Sequence, residues 1–172
     1  MVLSCANPCI QGISNPKDAE AAAIRVNYIL AADISNNSAR FGAFAALSMH
    51  NATVAAQELR RAVTELGFLG ALVNDYQQSG TDNSASSTCS HRTRLIRFLV
   101  DTLLFYDQPE YDEFWEAVTE LDVPVYFHPR ENVETIDTML YSHAIWLSGP
   151  SQGYAATLST HILGLCTNGV FE

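Results

Sequence analysis

Asp122-Val123-Pro124-Val125-Tyr126-Phe127-His128-Pro129-Arg130 decides how this chain is read. Five apolar or proline residues follow an acidic helix end and stop on a histidine, a proline and an arginine. That pattern suits a short parallel strand covered on both faces. Pro129 ends the ladder because it has no N–H to donate. His128 therefore falls at the carboxyl edge of a sheet, where α/β barrels gather catalytic groups and metal ligands. Arg130 adds a positive fork at the same edge, shaped for a carboxylate. A strand-end histidine that only hydrogen-bonds is the plainer alternative.

Upstream, strand and helix patterns alternate. Val2-Leu3-Ser4 begins as a strand and runs into the loop Cys5–Gly12. Asn15-Pro16 reads as a helix cap followed by proline at the first helical position, with the helix reaching about Ile34. Phe41–Leu47 is a small, apolar strand ending at Ser48-Met49-His50. Asn51 caps a second helix, in which Ala52, Ala55, Ala56, Leu59, Ala62, Val63 and Leu66 recur at helical spacing, with Gly67 as terminator. Phe68–Val73 is a third strand that ends on Asn74-Asp75. A helix from Pro109 carries Tyr111, Phe114, Trp115, Val118 and Leu121 as its apolar stripe, with carboxylates in its first turn. Val123–Phe127 is the fourth strand. A short helix at 135–141 and a longer one over 152–166 follow. Strands separated by single helices imply a parallel sheet. With no G-x-G-x-x-G or P-loop after any strand, a barrel is favoured over a nucleotide-binding open sheet.

Composition bounds the function. The chain has 172 residues, is 48% hydrophobic and only 16% charged, so it is a globular domain with many doubly covered segments. Its net charge of −10 argues against nucleic acid or an anionic membrane as partner, because phosphate binding needs a basic surface. No apolar run reaches the length of a membrane span and no signal peptide precedes the first strand, which predicts a cytoplasmic protein. Cys5, Cys9, Cys89 and Cys166 lack metal-ligand spacing and are expected to be reduced thiols.

Four blocks, Arg40–Asn51, Gly67–Asp75, Phe105-Tyr106-Asp107 and Val123–Arg130, together with the closing Thr160–Phe171, resemble the amidohydrolase-type decarboxylases. Within that group the likeness is to the enzymes acting on 2,3-dihydroxybenzoate or on γ-resorcylate (2,6-dihydroxybenzoate). The resemblance implies a partial (β/α)8 TIM barrel, about strands two to five with their helices, in an incomplete domain spanning residues 1–172. It implies a metal-dependent, non-oxidative decarboxylation of a small aromatic carboxylic acid, a divalent metal ion (zinc, manganese or magnesium) and a homo-oligomeric parent family. Carried over by position, His128 is a metal ligand, Asn74 points at the substrate, and Arg130 supports the His128 loop or contacts the substrate. A hydrolase of the same superfamily, and a truncated product with no catalysis, are the competing readings.

The chain also departs from that family. An acidic first-strand motif, a sixth-strand His-x-Gly-Glu and a final aspartate are all absent, so one metal ligand is expected where a divalent site uses three or four. The resemblance places the catalytic aspartate beyond Glu172, and no residue of this chain is assigned its role. The chain alone is therefore expected to be inactive. Residues 84–101 break the pattern: a serine-rich start leads to Arg92, Arg94 and Arg97, three of the nine lysines and arginines. We read this stretch as an atypical insertion, such as a retained intron, with a basic amphipathic partner-binding helix as the alternative.

Among other residues, His50 is either a pocket liner or bonded to a neighbouring loop. His143 and His161 are expected to be structural or exposed, and Trp115 and Trp146 to pack between helices. The Asp107, Glu110, Asp112, Glu113 and Glu116 cluster reads as a helix start and a solvated face.

Overall fold

The computed structural model describes residues 1–80 and 101–172. Within them, six short strands and five α-helices follow one another as β1 (Val2–Leu3), α1 (Pro16–Ser35), β2 (Gly42–Ala43), α2 (Ala52–Thr64), β3 (Ala71–Asn74), β4 (Gln77–Gly80), β5 (Asp101–Leu104), α3 (Asp112–Leu121), β6 (Val125–His128), α4 (Glu134–Ile136) and α5 (Gly153–Thr167). β1 pairs in parallel with β2, and β3 with β6. A parallel bridge between Ala45 and Ala71 joins the two pairs into one row, β1-β2-β3-β6. The bonds at that seam are Ala45 N to Gly70 O, 2.8 Å, and Leu72 N to Ala45 O, 3.1 Å.

The capping residues expected from sequence close the helices they were assigned to. Asn15 Oδ1 accepts from the N–H of Lys17 and of Asp18, and Asn51 Oδ1 from that of Val54. Asp122 turns into the left-handed region at φ 51° to end α3, a conformation that asparagine and aspartate adopt more readily than most residues. Three residues later the chain enters β6.

Alternation along each strand separates two faces. Ala71 and Val73 of β3, with Val125 and Phe127 of β6, turn toward α2 and α3, where Leu59, Ala62, Phe114 and Leu121 complete the core. Leu72, Asn74, Tyr126 and His128 turn the other way. On that second face Tyr126 is 51% exposed, stacked on Phe44 with ring centroids 6.4 Å apart, so β6 is not covered on both faces as its apolar run led us to expect.

The structure differs from the sequence reading at three further places in the fold. First, β4 and β5 form an antiparallel pair with Gly80 opposite Asp101. Gln77-Gln78-Ser79-Gly80 has no apolar alternation to announce a strand. The proposed insertion 84–101 lies outside the described residues except for Asp101, the first residue of β5. Second, Cys5 and Cys9 are joined in a disulfide rather than reduced, because the loop and the 3-10 turn at Cys9–Gly12 bring their Cα atoms to 5.7 Å, within bridging range. Cys166 is a free, exposed thiol, as expected. Third, Trp146 is 75% exposed on a short turn, not packed between helices. Trp115 does pack, and its indole N–H donates to Tyr106 O. Among the described residues no helix is long and apolar enough to cross a membrane.

Candidate active site

Asn74 and His128 are register partners at the carboxyl ends of β3 and β6, and their side chains leave the sheet on the same face. His128 is half-buried. Its Nδ1 lies 2.5 Å from the carbonyl oxygen of Pro129. A carbonyl only accepts, so Nδ1 carries the proton, and among the described residues the Nε2 lone pair is left free. Metal-binding histidines are commonly arranged this way, with one ring N–H given to a carbonyl so that the other nitrogen can ligate.

Asn74 is fully buried, and its neighbours fix which way its amide points. Gln11 Nε2 donates to Leu47 O at 2.8 Å, which sets Gln11 Oε1 as an acceptor. Asn74 Nδ2 donates to that Oε1 and to Pro8 O, both at 3.1 Å. Asn74 Oδ1 is then a buried acceptor that the described residues leave unpaired. The loop that carries the disulfide thus covers and orients Asn74.

Arg130 is buried, and its guanidinium meets carbonyl-type oxygens rather than a carboxylate. Nη1 donates to Gln11 O at 2.9 Å and to Tyr76 O at 3.1 Å, Nε to Glu131 O at 3.2 Å, and Nη2 to Gln78 Oε1 at 3.3 Å. The group also sits 4.5 Å over the Tyr76 ring. It ties the β1–α1 loop, the chain after β3, β4 and the chain after β6 into one mouth.

His50 donates Nε2–H to Ile13 O at 2.9 Å, the loop-bonded alternative of the two expected for it. Burial holds its imidazole below the usual value, offset in part by that carbonyl and by Glu20. His143 is exposed, whereas His161 is fully buried. Glu113 accepts from Thr53, and Asp107 from Asn168, which fits their reading as surface and helix-start carboxylates. Glu172, beyond which the family's aspartate is expected, is an exposed carboxylate after α5. Its backbone N–H donates to Gly169 O at 3.1 Å, and no described hydrogen bond joins it to Asn74 or His128.

Sequence reasoning missed Gln11, Tyr106 and Asp75. Burial pushes the Tyr106 phenol well above its usual range, so it stays a donor, and its hydroxyl meets Asn74 O at 3.0 Å. Asp75 carried the same signal as His128, a polar residue ending a buried strand. Among the described residues no group of three or more His, Cys, Asp or Glu side chains could hold a metal ion. The residues present therefore fit a metal as one prepared donor, His128 Nε2, and not as a complete site.

An amidohydrolase family model matches residues 7–171, and the chain belongs to that family. It is 40% identical, over all 172 residues, to a γ-resorcylate decarboxylase of Rhodococcus jostii (strain RHA1), of which it covers 47%. The fold superposes on 2,6-dihydroxybenzoate decarboxylase from Rhizobium with a TM-score of 0.84 at 37% identity, covering 99% of this chain and 47% of that one. It also matches a dihydroxybenzoic acid decarboxylase from Polaromonas sp. JS666, crystallised with manganese and the inhibitor 2-nitroresorcinol, at TM-score 0.83 and 36% identity, over 99% of this chain and 46% of that one. The chain spans about half the length of the relatives it matches.

Proposed function

We propose that β1, β2, β3 and β6 are strands two to five of a (β/α)8 barrel whose whole protein performs metal-dependent, non-oxidative decarboxylation of a dihydroxybenzoate-type acid. The observation that carries the reading is the Asn74–His128 pair, with Nδ1 of His128 given to Pro129 O and Nε2 free. A divalent metal, when bound, holds an aromatic acid by its oxygens and withdraws charge from it. This chain's part is to offer His128 Nε2 as one ligand and to keep its ring oriented through Pro129. Asn74 Oδ1 is the acceptor for a phenolic hydroxyl of the substrate, a contact that displaces part of the loop above it. Arg130 holds the loops that frame both residues, and substrate contact is its secondary role. Tyr126 and Phe44 supply an apolar wall below. Manganese suits the site because a relative of similar sequence was crystallised with it.

The 172-residue chain by itself offers one imidazole toward a metal, so we expect no turnover from it. The test begins with the genomic sequence on either side of the reading frame. If it encodes an acidic first-strand motif and His-x-Gly-Glu, the assembled protein is assayed for CO2 release from 2,6- and 2,3-dihydroxybenzoate. His128→Ala should lower the metal-dependent rate by about 100-fold or more. Hydrolysis of a lactone or amide without CO2 release would instead support the hydrolase reading. Metal-dependent CO2 release from the purified 172-residue chain would overturn the expectation of inactivity. A transcript read across residues 83–102 tests the insertion, and continuous message encoding 84–101 would defeat it.

A further inference from the structure

Directly behind the Asn74–His128 pair, on the helix-covered side of the sheet, lies a second buried pair that the proposed chemistry does not use. Asp75 and His161 are both fully enclosed, with His161 Nδ1 3.1 Å from Asp75 Oδ1. The backbone N–H of Tyr106 donates to His161 Nε2 at 2.9 Å, so Nδ1 must hold the ring proton and donate it to Asp75. Phe105, Tyr106 and Phe127 enclose the imidazole, with ring centroids at 5.1, 4.9 and 5.2 Å. Placing a carboxyl group and an imidazole in such surroundings is costly unless their hydrogen bonds are met. Ala71 and Val73, which face the same layer from the same strand, show that an apolar residue would fill the place more cheaply.

The backbone around the pair shows what it holds. Asp75 N–H donates to His128 O at 3.0 Å, the last rung between β3 and β6. Tyr106, whose N–H binds His161, gives its hydroxyl to Asn74 O. Helix α5 is therefore linked through one imidazole to the rungs on which both mouth residues sit.

We infer that Asp75 and His161 are positioning residues that hold Asn74 and His128 side by side at the mouth. This rests on the reading of Asn74 and His128 as the ligand-binding pair. The test uses His161→Gln and His161→Phe in the 172-residue chain. Glutamine carries both a donor and an acceptor, whereas phenylalanine keeps only the ring shape. Hydrogen exchange of the Asp75 amide should be about tenfold faster than wild type in His161→Phe and near wild type in His161→Gln. A purely packing role predicts the reverse order, and that order, or no change in either variant, overturns the inference. Asp75→Asn and Asp75→Ala repeat the comparison from the other partner: the first keeps an acceptor and the second does not. Loss of one variant to misfolding therefore leaves the test intact.

Titration of the assembled, zinc-loaded protein with 2,6-dihydroxybenzoate separates this inference from the functional reading. If the exchange order holds and the ligand shifts the Asn74 side-chain amide signals in wild type and His161→Gln but not in His161→Phe, both stand. If the exchange order holds and the ligand shifts nothing even in wild type, the ligand reading falls while the hydrogen-bonded positioning of the rung stands.

Discussion

The two ends of the β3–β6 pair are built on opposite terms. At the amino end, backbones close on each other: Gly70 sits at φ +149°, and a Cβ there would lie 2.2 Å from Pro124 O. Ala71 N–H donates to that same carbonyl at 3.1 Å. At the carboxyl end, 4 residues on, the side chains are polar, and Asn74 Oδ1 and Asp75 Oδ2 are buried without a partner among the described residues. One end admits no extra atom, while the other leaves acceptors over. The same division of labour is general in α/β barrels, where the amino-terminal face carries stability and the carboxyl-terminal face carries chemistry.

The sharpest way to break this comparison is at Gly70. Gly70→Ala places a methyl group inside the Pro124 carbonyl and a side chain at a φ that L-residues avoid, so it should cost about 3 kcal/mol or more. Urea denaturation measures it, and a loss under about 1 kcal/mol would mean that the close approach is relaxed in solution. Next in size is Asn74→Ala at the other end. It removes the donor to Pro8 O and leaves Gln11 Oε1 with only the longer bond from the backbone N–H of residue 74, at a cost of about 2 kcal/mol. His128→Ala should be milder for the fold. The ring is half-buried and, among the described residues, hydrogen-bonds only to the adjacent Pro129, so the expected loss is below about 1 kcal/mol. A stability loss at His128 as large as that at Gly70 would contradict the division between the ends.

The sequence made legible what backbone periodicity and capping control. The run Val123–Phe127 announced a strand, though not that its Tyr126 face would lie open, and Asn15 and Asn51 announced helix starts, because each states a local requirement. His128 and Asn74 could be placed at the strand ends by counting along their strands. Contacts between distant segments were not legible. Gln11 lies in a loop and Asn74 on a strand, 63 positions apart, and nothing in either neighbourhood signals that one amide will orient the other. His161 looked like any helix histidine, because its partner is 86 positions away. The Cys5–Cys9 bond was missed for a related reason: spacing alone does not tell how sharply a loop turns back. Trp146 was misjudged because aromatic residues usually seek cover, and its short turn offers none.

The smallest effect, and the finest probe of the mouth, is at His50. This ring closes the loop side of the site by donating to Ile13 O, and its burial outweighs the opposing pull of that carbonyl and of Glu20 on α1. In the folded chain it therefore binds a proton less readily than the ordinary value of 6.5, which applies to the unfolded chain. Below 6.5 the unfolded state takes up the proton first, so stability falls as pH drops and levels off once the folded ring is also protonated. Well above 6.5 the ring is neutral in both states and contributes no slope. His50→Gln removes this term and leaves the carboxylates untouched. The difference in unfolding free energy, wild type minus variant, should therefore be flat at alkaline pH and become less favourable to wild type on acidification. The opposite trend would mean that the bond to Ile13 and the charge of Glu20 outweigh burial, leaving the loop above Asn74 held by a charged ring.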